Sequence, residues 1–139
     1  MDESASKERI VPYTSVMTGD EVTNRQMIYQ IRQGMRSAVR IELLVSFLME
    51  SGVRMLLADL IQAVERGARV RILTGGYLGI TQPSALYLLQ STLGNRIEMR
   101  FYNDTGRSFH PKAYFFHYGH RDEVFIGSSN ISKSALTSG

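Results

Sequence analysis

Four side chains of complementary chemistry stand close together near the end of the sequence. They are the imidazole of His110, the ammonium of Lys112, the hydroxyl of Ser128 and the amide of Asn130. Side chains alternate between the two faces of a strand, so each pair lies on one face of its own strand. If the two strands are neighbours, the four groups converge at the strand ends. The same alternation adds Tyr114 and Phe116 to the first pair, and Val124 and Ile126 to the second.

Such a group suits a phosphodiester substrate. The imidazole of His110 can attack phosphorus directly and form a covalent phosphohistidine, while the lysine and the asparagine hold the non-bridging oxygens as charge builds up. Gly127 lets a backbone approach closely, and the amides of Ser128 and Ser129 can add hydrogen-bond donors. We therefore predict His110, Lys112 and Asn130 as catalytic residues, with Gly127, Ser128 and Ser129 lining the substrate pocket.

Other residues that often form sites give weaker signals. His117 and His120 are predicted to be surface residues of a turn, and two such ligands without a third make a poor metal site. The chain has no cysteine, which excludes disulfides and thiolate metal sites. Gly75, Gly76 and Gly79 lack the spacing of a dinucleotide-binding loop and indicate a simple strand-to-helix loop. Neither a metal ion nor a cofactor is expected.

The composition is that of an ordinary globular domain. A length of 139 residues fits one domain. The sequence contains no apolar run of about 18 residues, as a membrane span would need, and its N-terminus lacks the features of a signal or transit peptide. A cytoplasmic protein without a membrane partner is therefore expected.

The charge is unevenly distributed along the chain. Residues 1–24 carry five acids and two bases, whereas residues 25–139 carry fourteen bases and eight acids. Thirteen of the sixteen basic residues are arginines, whose planar forks suit phosphate. This excess is compatible with a nucleic-acid partner. A stripe of Arg25, Arg32 and Arg36 on the first helix is interpreted as a solvated helix face.

The hydrophobic periodicity predicts alternating helices and strands after a polar N-terminal arm at residues 1–24. The resulting order αβαβαβββ is typical of an α/β domain with a mixed sheet flanked by helices. The predicted elements are a helix over 25–36, a strand over 39–45, a helix over 51–66, a strand over 69–73, a helix from Pro83 to Leu93, strands over 96–101, 110–117 and 122–128, and a helix from about Ser132.

The residues His110-Pro111-Lys112 and Gly127-Ser128-Ser129-Asn130 resemble the HxK…GSxN half-motif of the phospholipase D superfamily. The strand end Val45-Ser46-Phe47, the segment 65–75 and the segment 79–83 agree with that pattern in order. The resemblance covers about residues 25–137. It is closest to the phospholipase-D-like domain at the N-terminus of many bacterial DEAD/DEAH-box helicases and in related restriction-type nucleases.

The resemblance implies a phospholipase-D-like half-domain over residues 25–139 and a metal-independent reaction. It assigns His110 as the nucleophile, Lys112 and Asn130 as phosphate ligands, and Ser128 as a pocket residue. The full family motif has an aspartate at the position of His117. Because the superfamily active site needs two half-motifs and this chain has one, we expect either a homodimer or a longer protein. Such a protein would continue beyond Gly139 and supply a second half-motif or a helicase core.

Three classes of function remain open from the sequence. The first is a nuclease that cleaves DNA or, with less support, RNA through a phosphohistidine. The second is a catalytically inactive module that binds nucleic acid for a fused helicase. The third is a lipid-cleaving enzyme, disfavoured because the sequence has no amphipathic helix suited to a membrane surface.

Overall fold

A computed structural model describes residues 27–76, 81–103, 110–127 and 131–137. The N-terminal arm predicted at residues 1–24 lies outside these ranges, as does Arg25. The elements, in chain order, are α1 (Met27–Ser37), β1 (Arg40–Val45), α2 (Glu50–Glu65), β2 (Arg69–Gly75), α3 (Pro83–Leu93), a short 3-10 turn (Gly94–Arg96), β3 (Glu98–Tyr102), β4 (Lys112–His117), β5 (Asp122–Ile126) and α4 (Lys133–Thr137).

The strands form one mixed sheet, as the sequence predicted, with the order β3-β2-β1-β4-β5. Strands β1, β2 and β3 run parallel, and helices α2 and α3 connect them. Strand β4 pairs antiparallel with β1, and β5 pairs antiparallel with β4. The start of β4 therefore lies beside the carboxyl end of β1. This is the edge of an α/β sheet at which ligands usually bind.

The described helices cover one face of the sheet. On β1 the side chains of Ile41, Leu43 and Val45 are buried on that helix-covered face, while Arg40, Glu42 and Leu44 lie on the open face. Registers with β2 and β4 extend the division across the sheet, since paired residues share a face. None of the described helices is long and apolar enough to cross a membrane.

Close backbone approach fixes the first helix on the sheet. Gly34 of α1 lies directly over Phe116 of β4, because a Cβ built at this glycine would stand 2.5 Å from the phenyl ring. The ring itself is fully buried and makes an edge-to-face contact with Phe125, with ring centroids 5.9 Å apart. A side chain at position 34 would push the helix away from the sheet.

A buried carboxylate joins the first two helices. Asp59 of α2 accepts a 3.1 Å hydrogen bond from Nε of Arg32, and Nε of Arg36 lies 3.6 Å from its other oxygen. Arg32 also donates to the carbonyl of Met55 at 2.9 Å. The interpretation of a solvated arginine stripe is therefore wrong for Arg32, whose guanidinium neutralises Asp59 between the helices. Arg36 adds an ion pair to Asp59, but its side chain is 60% exposed and so lies on a solvated face as predicted.

A row of ion pairs, here called the charge ladder, crosses the open face. Arg40 lies 3.5 Å from Glu42, and Arg71 lies 3.3 Å from the other oxygen of Glu42. The same Arg71 reaches Glu98 at 3.4 Å, and Arg100 reaches the second oxygen of Glu98 at 3.4 Å. Opposite charges within β1 and β3 and across β2 thus largely neutralise one another on this face.

Candidate active site

Two of the residues predicted to act on phosphate, His110 and Lys112, lie at the edge where β1 ends and β4 begins. Lys112, the first residue of β4, pairs with Val45, the last residue of β1. His110 stands two residues earlier and is exposed. The backbone nitrogen of Gly127 donates to the carbonyl of Lys112 at 3.2 Å, so the end of β5 returns to the same place. The structure therefore brings His110, Lys112 and Gly127 together.

The ammonium of Lys112 is directed at three acceptors. Its Nζ lies 2.7 Å from Nδ1 of His110, 3.3 Å from the carbonyl oxygen of His110 and 3.4 Å from Oγ of Ser46. An ammonium can only donate, so Nδ1 must be the acceptor and the neutral imidazole then carries its proton on Nε2. A phosphate that takes a donor from Lys112 has to displace one of these three contacts.

Ser46 is a contact of the site that the sequence analysis did not assign. This fully buried residue follows β1, and its hydroxyl donates to the carbonyl of Pro111 at 3.0 Å while facing Lys112. It thereby holds the segment between His110 and Lys112 against the end of β1. The signal was present in the sequence, because a small hydroxyl residue directly follows a buried alternating strand.

The chain after the second half of the motif is held against α2. The backbone nitrogen of Met49 donates to the carbonyl of Ile131 at 2.9 Å, and Leu48 forms a parallel bridge with Ile131. Gly52 lies where α2 comes closest to this segment, and a Cβ at this glycine would stand 2.5 Å from the carbonyl carbon of Ile131. The predicted pocket residues Ser128 and Ser129 and the predicted ligand Asn130 lie outside the described residues.

The loop before α3 is fastened to the same region. Thr81 donates from its hydroxyl to the carbonyl of Gly75 and accepts from the amide of Leu48 at 3.3 Å. The side chain of Gln82 accepts from the amide of Glu50 at 2.7 Å. The strand predicted over 69–73 continues to Gly75, so the strand-to-helix loop begins two residues later than expected, and Gly79 lies outside the described ranges.

The side chains expected to share the face of Lys112 do so on β4 but not on β5. Lys112, Tyr114 and Phe116 share the helix-covered face, and burial raises the pKa of Tyr114 so that its hydroxyl stays neutral. On β5, however, Phe125 pairs with Tyr114, which places Val124 and Ile126 on the open face. The expectation that these two residues lie on the face of the phosphate-binding group is wrong, because period two fixes alternation within a strand but not its phase against a neighbour.

Comparison with known proteins agrees with this architecture. Residues 31–139 match the family model described as the cardiolipin synthase, PLD-like domain. This chain belongs to the PLD-like domain family. No curated protein matches it. Among solved structures it is similar to NucT from Helicobacter pylori, at 16% sequence identity and a TM-score of 0.55, covering 86% of this chain and 76% of that one. TrmBL2, an archaeal chromatin protein whose structure shows a novel mode of DNA binding, matches at 18% identity and a TM-score of 0.42, covering 81% and 44% of the two chains.

His117, at the position of the family aspartate, is not the surface turn residue that the sequence analysis predicted. It ends β4 with its side chain only 18% exposed. Its Nε2 lies 2.8 Å from Glu42 on β1 and its Nδ1 lies 2.8 Å from Asp122 on β5. Five residue steps along β4 separate it from Lys112, a distance of about 17 Å. This histidine therefore links three strands of the PLD-like sheet, far from the end predicted to bind phosphate.

Restoring the family residue with His117→Asp is expected to destabilise the protein by about 1–2 kcal/mol without changing catalysis. The change removes both imidazole bonds and places a third carboxylate beside Glu42 and Asp122. Urea unfolding measures the free energy, and a cleavage assay of the folded variant measures the rate. The neutral His117→Gln variant should lose less stability, and a rate increase in His117→Asp would contradict the structural role.

His120, the other histidine predicted to lie in a surface turn, is at the surface as predicted. His120 is exposed in the turn between β4 and β5, beside Arg121, whose guanidinium lies 4.2 Å above the ring of Tyr118. Burial and, to a smaller extent, a hydrogen bond to Glu123 raise the pKa of Tyr118 to about 12.

Among the described residues, no group of three or more His, Asp and Glu side chains could hold a metal ion.

Proposed function

We propose that this PLD-like domain is a phosphodiesterase that cleaves nucleic acid through a covalent phosphohistidine on His110. The observation that carries the proposal is the 2.7 Å contact between Nζ of Lys112 and Nδ1 of His110 at the carboxyl edge of the sheet. A nucleophilic ring and a cation for phosphate oxygens stand side by side there. Membership of the PLD-like family supports the same assignment.

In the proposed reaction the substrate itself frees the nucleophile. A non-bridging phosphate oxygen draws Lys112 away from the imidazole. The lone pair of Nδ1 of His110 is then no longer engaged by the ammonium, and Nδ1 attacks phosphorus. A nitrogen–phosphorus bond forms, the bond from phosphorus to the leaving ester oxygen breaks, and that oxygen takes a proton from a general acid. Water then attacks phosphorus and gives a proton to the group that had acted as the general acid, and the nitrogen–phosphorus bond breaks to release the phosphate end. Asn130 and Ser128 are proposed to bind the phosphate together with Lys112.

The general acid is proposed to be a second histidine from another half-motif. A homodimer with facing His110 side chains would provide it, and so would a second half-motif in a longer protein of the helicase or restriction type. A histidine nucleophile needs no metal-bound water, which supports a metal-independent reaction. We take DNA as the first substrate to test.

The test incubates single-stranded and double-stranded DNA with the full chain in excess EDTA. Cleavage that persists in EDTA, together with transfer of a labelled phosphate to the protein in an acid-labile form, is the expected result. Cleavage that stops in EDTA and returns with a divalent ion would overturn the metal-independent mechanism. Tight binding without cleavage in any condition would instead identify an inactive nucleic-acid-binding module.

A further inference from the structure

A line of paired residues runs across the sheet from the candidate site to the opposite edge strand. Phe101 of β3 pairs with Thr74 of β2, and Val45 of β1 pairs with Lys112 of β4. Because Leu44 pairs with Leu73, the next residues, Val45 and Thr74, are also neighbours. Phe101 and Lys112 thus occupy the two ends of one row. Three strand spacings separate them, which is about 14 Å.

The side chain of Phe101 is unusually accessible for its position. It lies on the helix-covered face, where Met99, two residues earlier, packs against the core, yet 46% of Phe101 is exposed. Gly76 stands directly beside the ring, and a Cβ there would come within 3.3 Å of it. A glycine at this position leaves room for an aromatic side chain that remains open to solvent.

We propose that Phe101 is a stacking platform for an unpaired base, and that the substrate of this domain is therefore single-stranded nucleic acid. The inference rests on the proposed phosphodiesterase function. A strand with one phosphate at Lys112 and His110 can extend along the sheet edge for a few nucleotides and place a base on the phenyl ring. The bases of an intact duplex are stacked on one another and cannot offer their faces to a side chain.

Stacking has a separate energetic signature from phosphate binding. Every base offers a π-face, so the contact adds affinity without sequence preference. Phosphate contacts are the same whether or not a base is attached to the sugar. A strand that contains abasic sites therefore keeps the contacts of Lys112 but loses the contact with Phe101.

The experiment measures fluorescence anisotropy of the full chain with three labelled DNA probes: a single strand, the same strand with abasic sites, and a blunt duplex. The wild-type protein should prefer the base-containing single strand. Phe101→Ala should weaken binding of that strand by about tenfold and leave binding of the abasic strand nearly unchanged. Phe101→Trp should restore the affinity. Tyr87→Ala removes a 74% exposed aromatic side chain from α3 and serves as the matched control, with no expected effect.

Equal affinity of wild type and Phe101→Ala for the base-containing strand would overturn the stacking proposal and leave the phosphodiesterase proposal standing. An equal loss on the abasic strand would also overturn it, because the ring would then act through the fold rather than through a base. If the wild-type protein bound none of the three probes, both proposals would be overturned.

Discussion

The His110→Ala variant is expected to cleave DNA more slowly than wild type by on the order of 10⁴-fold or more, because the proposed nucleophile is gone and no described neighbour can replace it. His110 is exposed, so its removal leaves no cavity in the core. Lys112 keeps its contact with Ser46 and remains free to bind phosphate oxygen. Turnover should therefore collapse while the affinity for DNA and the unfolding midpoint stay close to wild type.

Single-turnover cleavage kinetics, combined with a binding titration of the same variant, separate these effects. His120→Ala is the matched control, since it removes another exposed imidazole at the opposite end of β4 and should cleave at the wild-type rate. If His110→Ala retained more than a tenth of the wild-type rate, His110 would not be the nucleophile. A parallel fall in both variants would point to a general effect of charge or folding.

Gly52→Ala is expected to lower the free energy of unfolding by about 3 kcal/mol. Alanine normally stabilises a helix interior by about 0.5–1 kcal/mol relative to glycine, so a loss would have the opposite sign to the helix preference. The reason is steric. The new Cβ would stand 2.5 Å from the carbonyl carbon of Ile131 and 2.6 Å from the backbone nitrogen of Ser132, and backbone atoms cannot rotate away as a side chain would.

This substitution should also reduce cleavage, since Ile131 directly follows the proposed phosphate ligand Asn130 and would have to move. Urea unfolding gives the stability, and the cleavage rate is measured well below the unfolding midpoint. Gln62→Ala, at an exposed position of the same helix, is the control and should change stability by less than about 0.5 kcal/mol. A Gly52→Ala protein at least as stable as wild type would show that α2 and the segment after the motif can separate without cost.

The order of helices and strands could be predicted because most elements bury one face and repeat their apolar residues at the matching period. Helix α3 illustrates this, since Pro83 marks its first turn and buried Ala85, Leu89 and Leu93 follow at helical spacing. The mixed sheet also followed from the element order. Strand ends were less predictable: the alternation of Val124, Ile126 and Ser128 extended the predicted strand to Ser128, whereas β5 ends at Ile126.

The proximity of His110 and Lys112 could be predicted from the sequence, whereas the contacts that support them depend on the pairing of distant strands. His110 and Lys112 are two residues apart on the chain, so their proximity needs only one local extended segment. Ser46 is 66 residues away from Lys112, and only the β1–β4 pairing makes them neighbours. The same reason explains the error at His117, whose two carboxylate partners lie on other strands.

The abundance of arginine has a thermodynamic consequence for DNA binding. Seven of the ten arginines in the described ranges already lie within 4.0 Å of a carboxylate of this chain, including those of the charge ladder and those at Asp59. A guanidinium in such a pair adds little net field, so fewer condensed counterions would leave the DNA on binding than the number of arginines suggests. The affinity for DNA would then fall less steeply with rising salt concentration than a count of the arginines predicts.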